Sequence, residues 1–301
     1  MINPFLKVGF VDTFDGCAQF FMDQLATISD ARYAFIRNDE NPDILFFGDA
    51  NFGTTNLQQK YLDVPVRIFY TGENVRPSGQ RANYALGFDH FQTDNYMRLP
   101  LWVLNIHYFN TRFGLNVLQE RIVDDRPFED RGFCGFVQSN PNCIKRNEIF
   151  HLLSDKIQKV DSAGPLFNNV GFTIPRGEDG VMQKIKWLSG YKFTLAAENG
   201  QYPGYITEKL LEAKLAGTVP IYYGSETIAL DFDRNCFINY HDFTNDDEFI
   251  EYVKYVNNNS NIWNIMHAVY PLFGLHEMVR YENLLHKLQS FLKRIVERHF
   301  P

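Results

Sequence analysis

The segment Tyr191–Gly224, YKFTLAAENGQYPGYITEKLLEAKLAGTVPIYYG, restricts the fold more than any other stretch of the chain. An apolar strand, Tyr191–Ala196, ends on the pair Glu198-Asn199. A Gly/Pro turn follows, then Tyr205, Thr207, Glu208 and Lys209 at the mouth of a helix, and a second apolar strand, Val219–Tyr223, closing on Gly224. Polar groups gathered where parallel strands end and a helix begins are what an anion site in an open α/β sheet requires. The segment therefore predicts a phosphate-bearing ligand.

The first half of the chain alternates in the same way. Leu6–Asp12 reads as a strand, and Cys17–Ile28 as a helix turning Phe20, Phe21, Leu25 and Ile28 inward. Tyr33–Ile36, Ile44–Phe47, Val66–Tyr70 and Tyr84–Phe88 read as short strands bounded by Asn, Asp, Gly or Pro. Continuous apolar runs such as Ile44–Phe47 suit a parallel sheet covered on both faces. Residues 110–131 are rich in charge, and DDRPFEDR at 124–131 reads as a linker or domain-edge loop.

The alternation restarts with a strand over Gly132–Val137, a helix over Lys145–Gln158 and a short strand near Val160. A helix over Val181–Leu188 leads into the Tyr191–Gly224 unit, followed by a strand near Cys236–Asn239 and helices over Asp246–Asn257 and 260–270. Two such arrays divided by a charged linker predict an α/β chain of two Rossmann-like domains facing each other across a cleft. The loops near 12–18, 48–56 and 90–110 are the expected seat of specificity in the first domain.

Bulk properties exclude several classes. A net charge of −7 argues against general nucleic-acid affinity, though a phosphate site needs only a few local cations. No apolar run reaches the ~20 residues that span a bilayer. The start, MINPFLKVGFVD, reads as a first strand rather than a signal peptide, and Cys17, Cys134, Cys143 and Cys236 show no CxxC spacing, so thiols in a reducing cytosol are expected. Near the end, residues 284–299 set Leu285, Leu288, Phe291, Leu292 and Ile295 against His286, Lys287, Lys293, Arg294 and Arg298. This amphipathic helix either docks on the body or attaches peripherally to an anionic membrane surface.

Several residues carry candidate chemistry, each beside a plainer role. Thr207 reads as an N-cap, which puts Glu208 and Lys209 in the first helical turn. A cation there is disfavoured by the helix dipole unless an anion binds beside it; the alternative is a surface Lys paired with Glu208 or Glu212. Glu198 and Asn199 lie just past a strand end, where ligand contacts gather, or else satisfy the turn. Tyr205 is a ligand wall or core packing. Arg146, in SNPNCIKRNEIF, offers a bidentate fork for phosphate; the alternatives are a surface ion pair with Glu148 or Asp155, or Lys145 as the active cation instead. Glu73, in IFYTGEN, follows a buried strand and a Gly turn, as a general base or a hydrogen-bonded loop acid. Asp231-Phe232-Asp233 has the DxD spacing of a metal site but reads as a surface turn.

FTLAAEN with YITEKLLEAKLAGTVPIYYG closely resembles the signature of the α1,3-fucosyltransferases. YTGEN, YALGFD and FVQSNPN followed by RN are similar to the family's other segments, so the resemblance spans roughly residues 66–245. It implies a GT-B fold of glycosyltransferase family 10. The implied division is an acceptor-binding Rossmann-like domain over 1–128, a GDP-fucose-binding one over 129–275, and a C-terminal helix over 276–301 packing on the body. The implied reaction is inverting transfer of fucose from GDP-fucose to an N-acetylglucosamine-containing, lactosamine-type glycan, without cofactor or essential metal. By the same resemblance Glu73 is the general base and Arg146 and Lys209 neutralise the diphosphate. The substrate-binding set is Glu198, Asn199, Tyr205, Thr207 and Glu208. An α1,4 or mixed-linkage transferase, another GDP-sugar transferase and a non-catalytic nucleotide-sugar or glycan-binding protein are the competing readings. The expected location is the cytoplasm, with attachment to the inner membrane through the C-terminal helix as a variant.

Overall fold

Short buried strands separated by amphipathic helices build two parallel sheets in the computed structural model. It describes residues 5–14, 16–49, 57–115, 117, 126–269 and 275–301, with backbone alone for Glu178, Asp179 and 275–279. The chain divides into two compact units, one formed by Met1–Gly114 with Val279–Pro301, the other by Leu115–Met278. The linker expected at 124–131 begins outside the described residues, as does most of the loop expected at 48–56.

The first unit opens with β1 (Phe5–Val11), α1 (Cys17–Thr27), β2 (Ala34–Arg37), β3 (Ile44–Phe47), β4 (Val66–Tyr70), β5 (Tyr84–Gly87), β6 (Tyr96–Arg98) and α2 (Leu101–Phe113). Its strands lie in the order β2-β1-β3-β4-β5-β6, all parallel. Residues 96–113 correct the expected loop. Pro100 is extended before the first turn, and Trp102, Ile106 and Phe109 recur on one buried helical face. Gly114 ends the helix at φ 64°, a conformation that suits glycine.

The second unit contains β7 (Gly132–Phe136), α3 (Ile144–Lys156), β8 (Asp161–Ser162), α4 (Glu178–Leu188), β9 (Tyr191–Ala197), α5 (Lys209–Leu215), β10 (Val219–Tyr223), β11 (Ile238–Asn239), α6 (Asp246–Asn257) and α7 (Ser260–Ala268). Its sheet runs β11-β10-β9-β7-β8, again parallel throughout. Strand alternation sorts the side chains. Phe193, Leu195, Ala197, Val219, Ile221 and Tyr223 pack with residues of α3, α6 and α7. On alternate positions, Thr218 donates to Thr194 across 2.8 Å. The DxD-spaced turn is not a surface feature, because Asp231 and Phe232 are buried.

The last helix, α8 (Leu275–His299), returns to the first unit. Leu288, Phe291, Leu292, Ile295 and Val296 are buried along one stripe. Phe291 meets the Tyr84 ring edge-on, and the Tyr84 hydroxyl pairs with His299 Nε2 at 2.8 Å. Among the described residues no helix is long and apolar enough to cross a membrane. All four cysteines are buried.

Candidate functional site

In the second sheet the connection from β7 runs outward to β8, and the chain then returns to build β9, β10 and β11 on the other side of β7. The strand order therefore reverses between β7 and β9, and ligands of open α/β sheets bind beyond strand ends at such a reversal. Arg146, in the first turn of α3, bridges the two strand ends. Its Nη1 donates to Asn199 Oδ1 at 2.7 Å and to Gln138 Oε1 at 3.5 Å, and its Nη2 donates to the Asn140 carbonyl. The side chain is fully buried, and its Nε–H has no acceptor among the described residues. Burial holds the guanidinium pKa below its ordinary value, with Glu198 among the groups pulling it back up. Lys145 instead points to Glu148 and Asp246, at 3.4 and 3.7 Å, and over the Tyr240 ring.

Glu198 is placed by sheet pairing. Its N–H donates to the Tyr223 carbonyl at 2.7 Å, which brings it alongside Gly224. A Cβ on Gly224 would stand 2.5 Å from Glu198 Cγ, so glycine alone leaves the carboxylate its place. The buried carboxylate accepts the Thr207 N–H at 2.8 Å and the Thr207 hydroxyl at 2.6 Å. Thr207 is therefore not an N-cap. The cap position belongs to Glu208, which has helical angles and makes no side-chain cap bond, its carboxylate pairing with Lys209 while Glu198 holds the Thr207 side chain.

Lys209 completes the nest. Its Nζ lies 2.8 Å from Thr207 Oγ1, 3.1 Å from Glu198 Oε2 and 3.2 Å from Glu208 Oε1, with 7% of the residue exposed. It is not a solvated surface lysine. Burial opposes its charge, but Glu198 and Glu208 outweigh burial and hold its pKa well above the ordinary value. Burial pushes Glu198 up against the pull of Lys209. Glu208 feels burial too, yet Lys209 and Lys184 bring it down to about 2. Tyr205 is packed inside the unit with 1% exposure, close enough to Arg146 and Lys209 to act on both charges.

Two further residues join this group, Lys184, which has no local sequence signal, and Glu212, expected only as a partner of Lys209. Lys184 of α4 forms an ion pair with Glu212 of α5 at 2.5 Å, and both line a recess shared with Gln138, Thr194, Ala196 and Lys209. They lie 28 positions apart, and only the packing of α4 on α5 brings them together. Three carboxylates, two ammonium groups and one guanidinium thus occupy one end of one sheet. Such an array, with an unsatisfied buried Arg N–H, can receive an anion.

Glu73 belongs to the first unit, beyond β4. Its N–H donates to Thr71 Oγ1 at 3.0 Å, and the Thr71 hydroxyl donates to the buried Asp49 Oδ2 at 3.3 Å. The structure therefore brings Arg146, Glu198, Asn199, Tyr205, Thr207, Glu208 and Lys209 together in one unit, and gives Glu73 its own hydrogen-bonded turn in the other.

Residues 7–105 match the alpha-(1,3)-fucosyltransferase FucT N-terminal domain, and residues 130–272 match the glycosyltransferase family 10 (fucosyltransferase) C-terminal domain. This chain belongs to glycosyltransferase family 10. The family 10 chain is 36% identical over 261 residues to the alpha-(1,3)-fucosyltransferase FucT of Helicobacter pylori, covering 77% of this chain and 53% of that protein. It thus spans about half the length of that curated relative. A crystal structure of an α1,3-fucosyltransferase superposes with a TM-score of 0.77 at 30% identity, covering 98% of this chain and 90% of that one. A crystal structure described as α1,3-fucosyltransferase with GDP-fucose gives 0.71 at 29% identity, covering 96% and 91%. Two Rossmann-like units fit the GT-B class that the sequence resemblance implies.

Proposed function

We propose that this family 10 chain transfers L-fucose from GDP-fucose to the 3-hydroxyl of N-acetylglucosamine in a lactosamine-type glycan. The observation that carries the reading is the buried cation group at the strand reversal of the second unit, Arg146 with Lys209 in its cage of Glu198, Thr207 and Glu208. Kinship with proteins named as α1,3-fucosyltransferases, including one crystallised with GDP-fucose, supports the choice of donor and linkage.

The chemistry follows from the charges. As the C1–O bond of fucose breaks, its electron pair stays on the β-phosphate and the sugar gains oxocarbenium character. Fixed cations in a low-dielectric site stabilise that developing charge without reorganising. Arg146 and Lys209 supply them, and Glu198 and Glu208 hold Lys209 protonated and in place. Asn199 fixes the Arg146 fork, while Tyr205 and Thr207 hold the inner wall of the donor site. On the other face of the sugar, Glu73 takes the proton of the acceptor hydroxyl as its oxygen bonds to C1, so one displacement inverts the centre and a single carboxylate suffices.

The test is incubation with GDP-fucose and a panel of lactosamine acceptors, with products identified by mass and linkage. Glu73→Ala should lower transfer by about 10²–10⁴-fold while GDP binding persists. Transfer at the unaltered rate would remove Glu73 from the mechanism. GDP binding without any turnover by the unaltered chain would favour a nucleotide-sugar-binding protein instead.

A further inference from the structure

The two buried cations have most of their N–H groups committed to protein. Lys209 directs three N–H groups at three oxygens, Thr207 Oγ1, Glu198 Oε2 and Glu208 Oε1. An ammonium has no fourth donor. Arg146 is turned toward Asn199, Gln138 and Asn140, and none of its surface is exposed. A diphosphate presents a dense set of anionic oxygens and needs charged donors that reach its surface.

Lys184 is placed differently. Among the described residues its ammonium makes one ion pair, with Glu212, where Lys209 spends all three of its N–H groups. Its side chain keeps 19% exposure and lines the recess into which Lys209 and Gln138 also open. That recess is narrow, with room inside for little more than one water molecule, about 10 Å³. Lys184 also acts on Glu208, one of the acids that hold Lys209. Glu212 is buried, and its carboxylate holds the Lys184 ammonium beside the recess.

We propose that Lys184 is a donor-binding residue whose ammonium contacts the diphosphate of the nucleotide-sugar directly, while Arg146 and Lys209 act on it from beneath. The inference rests on the GDP-sugar reading above and adds a residue to it.

Removing Lys184 alone would strand the buried Glu212 carboxylate, so the informative comparison is Lys184→Gln/Glu212→Gln against Glu212→Gln. Affinities for GDP and for guanosine are measured by titration calorimetry, together with thermal unfolding. Loss of one charged hydrogen bond to phosphate should weaken GDP by about 10- to 100-fold in the double variant. Guanosine, which lacks phosphate, should bind both variants equally. Equal GDP affinity in the two variants overturns the proposal, and so does parallel loss of GDP and guanosine, which marks a structural role. The unaltered chain gives a second measurement that needs no substitution. Reductive methylation of Lys184, followed by mass spectrometry, should be slowed by GDP and not by guanosine. Methylation at the same rate with GDP present overturns the proposal. If the unaltered chain binds no GDP at all, the functional reading itself has failed, and that outcome is distinct from both.

Discussion

Replacing Lys209 by Met tests the charge nest at its centre. The ammonium lies 3.1 Å from Glu198 Oε2 and 3.2 Å from Glu208 Oε1. At an effective dielectric constant of about 20, one such contact is worth about 5 kcal/mol before the cost of burial is counted. Removing one partner of a buried pair has a net cost of about 3–5 kcal/mol, because the remaining charge is left in a medium that solvates it poorly. For a unit of this size the melting point should fall by roughly 6–20 °C. The deficit should also depend on pH. Burial already raises the Glu198 pKa, and without Lys209 it rises further above its unfolded value. The folded variant then holds a proton that the unfolded chain has released, so its stability falls as pH rises through that window. Relative to the unaltered protein, the loss should be greatest near about pH 8 and shrink toward about pH 5. Adding Glu198→Gln should recover much of it by removing the stranded charge. Urea unfolding of the single and double variants across this range is the assay. A loss below about 1 kcal/mol, as for an exposed pair, would refute the argument, and so would a deficit that does not change with pH. In transfer assays Lys209→Met should also raise the barrier by about 2–4 kcal/mol.

Three further outcomes are expected. Thr71→Val removes the hydroxyl between Asp49 and the Glu73 amide, and should lower kcat about 10-fold with donor KM unchanged; Thr71→Ser should restore it, and an unaltered kcat for the Val variant would detach Thr71 from Glu73. Gly224→Ala drives a methyl into Glu198 Cγ, and should cost about 1–3 kcal/mol in unfolding experiments as well as weakening GDP; unchanged melting would show that the strand end yields freely. Fucose transfer should persist in EDTA, and activity lost to chelation and restored by a divalent ion would contradict the expectation that no metal is required.

The sequence made the strand–helix–strand unit around Lys209 legible because both strands are unbroken apolar runs and the turn between them is rich in glycine and polar groups. It did not reveal how that turn closes. Thr207 satisfies every local rule for a helix cap, but the Glu198 carboxylate, nine residues earlier, takes both its N–H and its hydroxyl. A tertiary partner displaced a local preference. Lys209 was legible as a cation near an anion site, but not as a buried one with two acids of its own. Lys184 had no signal at all and Glu212 stood out only as a partner for Lys209, since a lysine on one short helix and a glutamate on the next look like two solvated charges until the helices pack. Helix α2 was overlooked for the opposite reason. Its sequence, LWVLNIHYFNTRF, is apolar on most sides and mixes β-branched, aromatic and polar residues, which blurs the helical period that the packed structure makes plain.

Helix α8 has a consequence for how the chain comes to fold. The first unit takes one portion from Met1–Gly114 and its closing helix from Val279–Pro301, with the whole second unit made in between. On a ribosome, the Tyr84 face must wait for Phe291 and His299 while that intervening stretch is synthesised, on the order of 10–30 s. The second unit can complete its sheet during that interval. The order of maturation is thus the reverse of the order of synthesis, and the half that emerges first is the half that closes last.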